Sequence, residues 1–330
     1  MKNAVVLGLS LALWSACGDS TVSPDAASRP DLAVSPTTDF AGTAPPDFAG
    51  RATPTIKTVF LVMLSNHNWS DIKGSASAPY INSTLLPMGA HAENYFNPTG
   101  IHPSEPDYLW LEAGTNFGIT TDMLPSVNSQ TSTAHLATLL KNANIPWKAY
   151  LEDITADTCP LTNVKSYAPK ENPFVFFTDS TGNGNPLDPY CVAHNRPLSE
   201  LAADLKAGKV SGYNFIKGNL CHDMHDACAP TNNQIQQGDD FLKQTIPLIL
   251  ASTAFQQGGA LFIGWDESEL GELPIGMIAI ASNAKPGYSN SIKYTHSATL
   301  RTMQEIFGVA PFLGDAAASN DLSDLFLQFP

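Results

Sequence analysis

Basic side chains are scarce in this chain: 17 Lys and Arg stand against 31 Asp and Glu, a formal charge of -14. So acidic a protein repels phosphate backbones and anionic bilayer surfaces, which argues against nucleic acid as a partner. Any phosphate chemistry here therefore needs a local positive device, such as a metal ion. Charge of either sign is sparse, 15% of residues against 43% hydrophobic. Apolar material thus suffices for a sizeable core, and 330 residues allow one large domain or two small ones. No Cys-x-x-Cys pair occurs among the five cysteines, which argues against a structural zinc site.

A membrane-spanning run is missing from the N-terminus too. Ala4 to Ala16 is apolar but holds only about 13 residues, short of the ~20 that cross a bilayer. Met1-Lys2-Asn3 before it and Trp14-Ser15-Ala16-Cys17-Gly18 after it have the form of a bacterial lipoprotein signal, residues 1–17, with Cys17 as the lipidated residue. Trp14 departs from the usual Leu three places before the Cys, so plain cleavage and secretion is the other reading. Residues 18–54 are rich in Pro, Ala, Thr, Ser and Asp, with a loose repeat in Asp39-Phe40-Ala41-Gly42 and Asp47-Phe48-Ala49-Gly50. Such a segment buries too little apolar area to offset its ordering entropy and reads as a tether. The expected location is the bacterial cell envelope, with the membrane touched only through the lipid anchor. Removing Cys17 leaves an even set in an exported chain, with expected pairs Cys159–Cys191 and Cys221–Cys228, the second closing a short loop.

From Thr55 onward, apolar strand signals alternate with helical spacing. Lys57 to Leu64 is a continuous apolar run, as in a strand covered on both faces. Further strands are expected at 92–96, 147–151, 212–216, 260–265 and 275–281. Helices are expected at 80–88, 133–142, 199–206, 239–252 with an interruption at Pro247, and 297–307. This alternation predicts a single α/β domain over 55–330 with a largely parallel central sheet. In such sheets ligands bind beyond the carboxyl ends of the strands. Those ends carry Ser65-Asn66-His67, His102-Pro103-Ser104-Glu105-Pro106-Asp107, Asn219 to Asp226 with His222 and His225, and Asp266-Glu267. Each piece has a plain structural reading as well. Ser104 with Asp107 forms a capping box, Asp266-Glu267 a solvated strand exit, and 222–226 a disulfide-closed surface loop. His102 packs under its loop on this reading, and His296 caps the last helix.

Taken in order, these residues resemble the phosphoesterase family of acid phosphatases and phospholipases C, within the alkaline phosphatase superfamily. The resemblance spans nearly all of 57–315. It rests on Asn66-His67, Ser75 to Asn82, His102 to Tyr108, Trp147 to Tyr150, Asn172-Pro173-Phe174, Asn219 to Cys228, Asp266-Glu267 and Tyr294-Thr295-His296. It implies an alkaline phosphatase-like three-layer α/β sandwich and a hydrolase of phosphoric esters, the substrate partner being a phosphate ester. Ser104 takes the nucleophile position and forms a phosphoseryl intermediate that water hydrolyses. A divalent metal ion, its identity open, is expected on Asp266, Glu267 and the Ser104 oxygen. Asn66 would grip a phosphoryl oxygen, and His222 or His225 would protonate the leaving group or hold a non-bridging oxygen.

One departure stands out. Similar proteins carry a metal-ligating Glu where this chain has Ser65. The site then binds metal weakly, recruits another carboxylate (Asp71 or Asp223), or loses turnover. The leading expectation is an acid phosphatase-like phosphomonoesterase. A phospholipase C-type phosphodiesterase and a catalytically impaired surface binding protein are the alternatives. A serine esterase is disfavoured because no Gly-x-Ser-x-Gly elbow surrounds Ser104.

Overall fold

A computed structural model describes residues 56–330. The expected signal, Cys17 and the tether lie outside the described residues. The strands are β1 (Thr58–Leu64), β2 (Ala90–Ala92), β3 (Trp147–Leu151), β4 (Asn195–Pro197), β5 (Tyr213–Lys217), β6 (Gly259–Trp265), β7 (Met277–Ala281) and β8 (Ser289–Asn290). They form one eight-stranded sheet in the order β4-β3-β5-β1-β6-β7-β2-β8. β1 lies at its centre, parallel to both neighbours: Val59 faces Tyr213 of β5 on one side and Ala260 of β6 on the other. β7 alone runs against its neighbours β6 and β2. The sheet is thus largely parallel, as expected.

The apolar run of β1 explains this central place. Successive strand residues point to opposite faces, and every residue from Val59 to Leu64 is fully buried, so both faces of the sheet are covered. Two groups of helices provide the cover. Ser104–Ala113, Leu136–Asn142 and His296–Phe307 pack together, as do Leu201–Ala207, Gln234–Leu250 and Thr253–Gln256. Both expected disulfides are present, Cys159–Cys191 and Cys221–Cys228. Among the described residues no helix is long and apolar enough to cross a membrane.

Three expectations change. The strand expected at 92–96 is regular only over Ala90–Ala92, beyond which the pairing passes to irregular bonds from Glu93 to Asn290 and from Phe96 to Tyr294. Pro247 does not interrupt its helix, which runs unbroken over Gln234–Leu250. Pro247 is exposed, so its ring and the lost backbone bond lie on the solvent side. That helix also starts earlier than expected, because the Asn233 side chain caps it by accepting from the Gln236 amide at 3.0 Å. The short edge strands β4 and β8 had no sequence signal.

Candidate active site

The parallel strands deliver their carboxyl ends to one rim. β1 ends at Leu64, whose carbonyl accepts from the Asp266 amide at 3.0 Å, while the Ser65 amide donates to the Asp223 carbonyl at 2.7 Å. Residues following β1, β5 and β6 therefore meet directly. Met224 helps shape the loop after β5. It is a non-glycine residue in the left-handed region (φ 79°), and its buried side chain lies against Gly238, where a Cβ would collide with it.

Ser104 opens the helix Ser104–Ala113, with Pro103 as the capping residue and no side-chain cap. The capping-box expectation is therefore corrected. Ser104 already lies inside the first turn, and the Glu105 amide is taken instead by Asp122 Oδ1 at 2.9 Å. The Ser104 hydroxyl donates to Glu267 Oε1 at 2.9 Å, in a buried setting. His102 Nδ1 bonds the other oxygen of the same carboxylate, and its Nε2 lies 3.3 Å from Glu272 Oε1. Asp107 is fully buried, and neither of its oxygens has a hydrogen-bond partner. Burial pushes its carboxyl well above the usual range, and Asp266 and Glu267 push it further. Ligand atoms of His102, Asp107 and Glu267 lie within 4.8 Å of one another. An orphaned buried carboxylate beside a second carboxylate and an imidazole is the donor set of a divalent cation. These residues fit a metal.

Asp266, expected beside Glu267 on that cation, turns its carboxylate elsewhere. Its Oδ2 accepts from the Ser65 hydroxyl at 3.3 Å, and the same hydroxyl lies 3.4 Å from Glu171 Oε1 and 3.5 Å from Asn66 Oδ1. Burial raises the Asp266 carboxyl to about 8, with Glu267 adding to the rise. Behind Ser65 sits a buried ion cluster. Lys217, at the end of β5, lies 3.1 Å from Glu171 and 2.8 Å from Asp223. Burial opposes the Glu171 charge, yet Lys217 beside it holds that carboxyl at about 2. Of the carboxylates expected to compensate for Ser65, Asp223 is spent on Lys217. Asp71 belongs to a separate group with His67 and Glu269.

His296 is buried and does not cap its helix, contrary to expectation. Its Nε2 bonds the Asp266 carbonyl and its Nδ1 the Tyr95 hydroxyl, and burial lowers its pKa to about 4. A neutral imidazole donating to that carbonyl fixes the backbone of Asp266. Of the two loop histidines, His222 is exposed and bonded to Glu152 at 2.8 Å. His225 Nε2 lies 3.2 Å from Lys170 Nζ, which pairs with Asp122 at 3.0 Å, the residue holding the Glu105 amide beside Ser104. Sequence reasoning had set His102 aside as a packing residue, gave Asp107 only a capping role and did not single out Glu171, Lys217 or Lys170. The position of His102 two residues before Ser104 was the one available signal among these.

Residues 75–270 match the Phosphoesterase family, a span that contains Ser104, Glu171, Lys217, Asp266 and Glu267. A phosphatidylinositol-3-phosphatase of Mycobacterium tuberculosis is 30% identical over 280 residues, covering 83% of this chain and 84% of the relative. A probable acid phosphatase of Kluyveromyces lactis is 27% identical over 220 residues, 64% of this chain and 48% of that protein. The chain thus spans about half the length of that yeast relative. Among solved structures, an alkaline phosphatase superfamily protein from Vibrio parahaemolyticus superposes with a TM-score of 0.56 at 12% identity, covering 81% of this chain and 70% of that one, which shows the shared fold. The chain belongs to the Phosphoesterase family of phosphoric ester hydrolases.

Proposed function

We propose that the protein is an extracytoplasmic phosphomonoesterase that uses Ser104 as its nucleophile. The observation that carries this reading is the buried hydrogen bond from the Ser104 hydroxyl to Glu267 at the first residue of a helix. The helix terminus supplies positive potential where phosphoryl oxygens would lie, and the carboxylate is placed to take the hydroxyl proton. Ser104 Oγ attacks phosphorus, the bond to the leaving alkoxide breaks, and that oxygen takes a proton. Water then cleaves the phosphoseryl ester and regenerates the hydroxyl.

His102, Asp107 and Glu267 would hold a divalent cation, with Asp266 and the Ser104 oxygen at its edge. Such a cation neutralises phosphoryl oxygens and favours the serine alkoxide. Asn66, half-buried beside Ser65, is assigned to a phosphoryl oxygen. Of the two loop histidines, the leaving-group side goes to His225, which joins Lys170 in a chain of contacts reaching Ser104's neighbour. His222, bonded to Glu152 in solvent, serves its loop.

Two disulfides suit an oxidising compartment, and Cys17 is assigned as a lipid attachment point on its sequence context. Hydrolysis of chromogenic phosphomonoesters and phosphodiesters, with and without added divalent metal, tests the reading. Metal-dependent monoester turnover that vanishes in Ser104→Ala is expected. Turnover unaffected by that substitution refutes the assignment.

A further inference from the structure

The loop that carries Glu267 also carries Glu269, which belongs to a second group of ligand atoms. His67, Asp71 and Glu269 each bring one within 4.8 Å of the others. These donors arrive from two segments: His67 and Asp71 follow β1, and Glu269 follows β6. The two segments are tied together by the protein itself. The Trp69 amide donates to the Pro274 carbonyl at 2.7 Å, and the Trp69 ring fills the space that a Cβ on Gly276 would need. His67 is the informative member. It is 4% exposed, and neither ring nitrogen meets a partner in hydrogen-bonding geometry. Its Nδ1 stands 3.4 Å from Glu269 Oε2, and the Met224 backbone faces the ring too. A buried imidazole without a bond costs free energy, and a cation on one nitrogen would recover it. Asp71 and Glu269, by contrast, are exposed, so water carries the cost of their charge until a cation is bound.

We infer that His67, Asp71 and Glu269 form a second divalent-cation site, separate from the group His102, Asp107 and Glu267. One imidazole nitrogen with two carboxylate oxygens suits a transition cation such as Mn²⁺ or Zn²⁺. Water completes its coordination, because two of the three ligands face solvent. The Met224 carbonyl is then the group at hand to take the proton of the other ring nitrogen, as backbone carbonyls do behind ligating histidines. A cation here would clamp the exit of β1 to the exit of β6, the two segments that carry Asn66 and Glu267. The site stands whether or not the first group binds metal and whether or not Ser104 is the nucleophile.

Binding of Mn²⁺ alone to the metal-stripped full chain, followed by isothermal titration calorimetry, tests the site. The parent is Glu267→Gln, which removes a ligand of the first group and isolates the second. Asp71→Asn, Glu269→Gln and His67→Gln are added to it one at a time, with unfolding midpoints to show that each variant is folded. The parent should still bind Mn²⁺. Each added substitution should weaken that binding about tenfold or more, at least what the loss of an outer partner costs. Asp71 and Glu269 are exposed, so their variants decide the matter if His67→Gln does not fold. The site is refuted if the parent binds no Mn²⁺, or if either carboxylate variant binds as tightly as the parent. It is refuted too if a folded His67→Gln keeps its Mn²⁺ while the carboxylate variants lose theirs, the mark of an acidic surface pair. The first group is judged apart, by whether Glu267→Gln takes up less Mn²⁺ than the wild type.

Discussion

On one side of Asp266, the hydroxyl of Ser104, the ring of His102 and the carboxylates of Asp107 and Glu267 gather with no fixed cation among them. On the other side, Glu171 and Asp223 close on the ammonium of Lys217, which is 3% exposed. Both regions bury carboxylates, yet only the second carries its own counter-charge. A buried carboxylate without a partner costs several kcal/mol and is kept where a ligand restores the balance. The difference separates a region whose donors would suit a cation from one whose charge is met within the protein. Ser65, touching Asp266 and Glu171 at once, joins the two.

Substitutions on the two sides should fail in different ways. The largest effect belongs to Ser104→Ala, for which kcat toward a chromogenic phosphomonoester should fall by at least about 10³-fold with the unfolding midpoint unchanged. An unaltered kcat would remove the nucleophile assignment. Next comes Lys217→Met, which strands the Glu171 carboxylate as an uncompensated buried charge beside Asp223, whose own carboxyl burial pushes well above the usual range, and should cost about 3–5 kcal/mol of stability in denaturant titration. A loss below 1 kcal/mol would mean that the cluster is not the anchor it is taken for.

A third comparison lies away from the rim. His135 is fully buried between Glu112 at 3.1 Å and Asp179 at 3.0 Å and stacks on Phe177 with ring centroids 3.9 Å apart. Burial lowers its pKa, but the two carboxylates outweigh burial and the net shift is upward. A raised histidine contributes stability in full below its unfolded value near 6.5, and that contribution is lost as pH rises through the folded value. Asp179 is held low despite burial by His135 and Thr138, so its share is present above the ordinary carboxylate range. Glu112 is pushed up by burial and works in the opposite sense. His135→Asn should therefore cost about 2 kcal/mol at pH 5.5 and clearly less at pH 8.5. Equal losses at both pH values would show that packing on Phe177, rather than charge, explains His135.

Smaller effects come last. Asp107→Asn should raise the stability of metal-stripped protein by on the order of 1 kcal/mol, since it removes a buried unpartnered carboxylate, and lower Mn²⁺ affinity at the same time. A variant destabilised without metal would count against Asp107 as a waiting ligand. His222→Ala should change kcat/KM by less than about threefold, because surface positions away from packed features cost little. A loss comparable to that of His225→Ala would reverse the choice between the two histidines.

The central strands were legible in the chain because strands buried on both faces read as near-continuous apolar runs, and Lys57 to Leu64 or Trp147 to Leu151 are short enough to exclude a long helix. The helix Ser104–Ala113 was not legible as a pattern. Nine of its ten residues are buried, among them Ser104, Glu105, Asp107 and Glu112, so no apolar stripe separates from a polar face. Helix Gln234–Leu250 was read with an interruption at Pro247 because proline is a breaker by rule, whereas here its ring faces solvent.

The site divides along similar lines. Residues directly after β1 and β6 are placed by their strands, so Ser65, Asn66, Asp266 and Glu267 were identifiable from the order of polar groups following apolar runs. Glu171 sits in a 3-10 turn and Lys217 at the last position of β5, where nothing local distinguishes a site residue from a surface one. Strand positions and the rim they share follow from the linear alternation of apolar and polar residues, because that alternation fixes which groups leave the sheet at its carboxyl edge. Which carboxylates end up neutralised and which stay unpartnered depend on distances of about 3 Å between segments over a hundred residues apart, and such proximities arise only when the chain has packed.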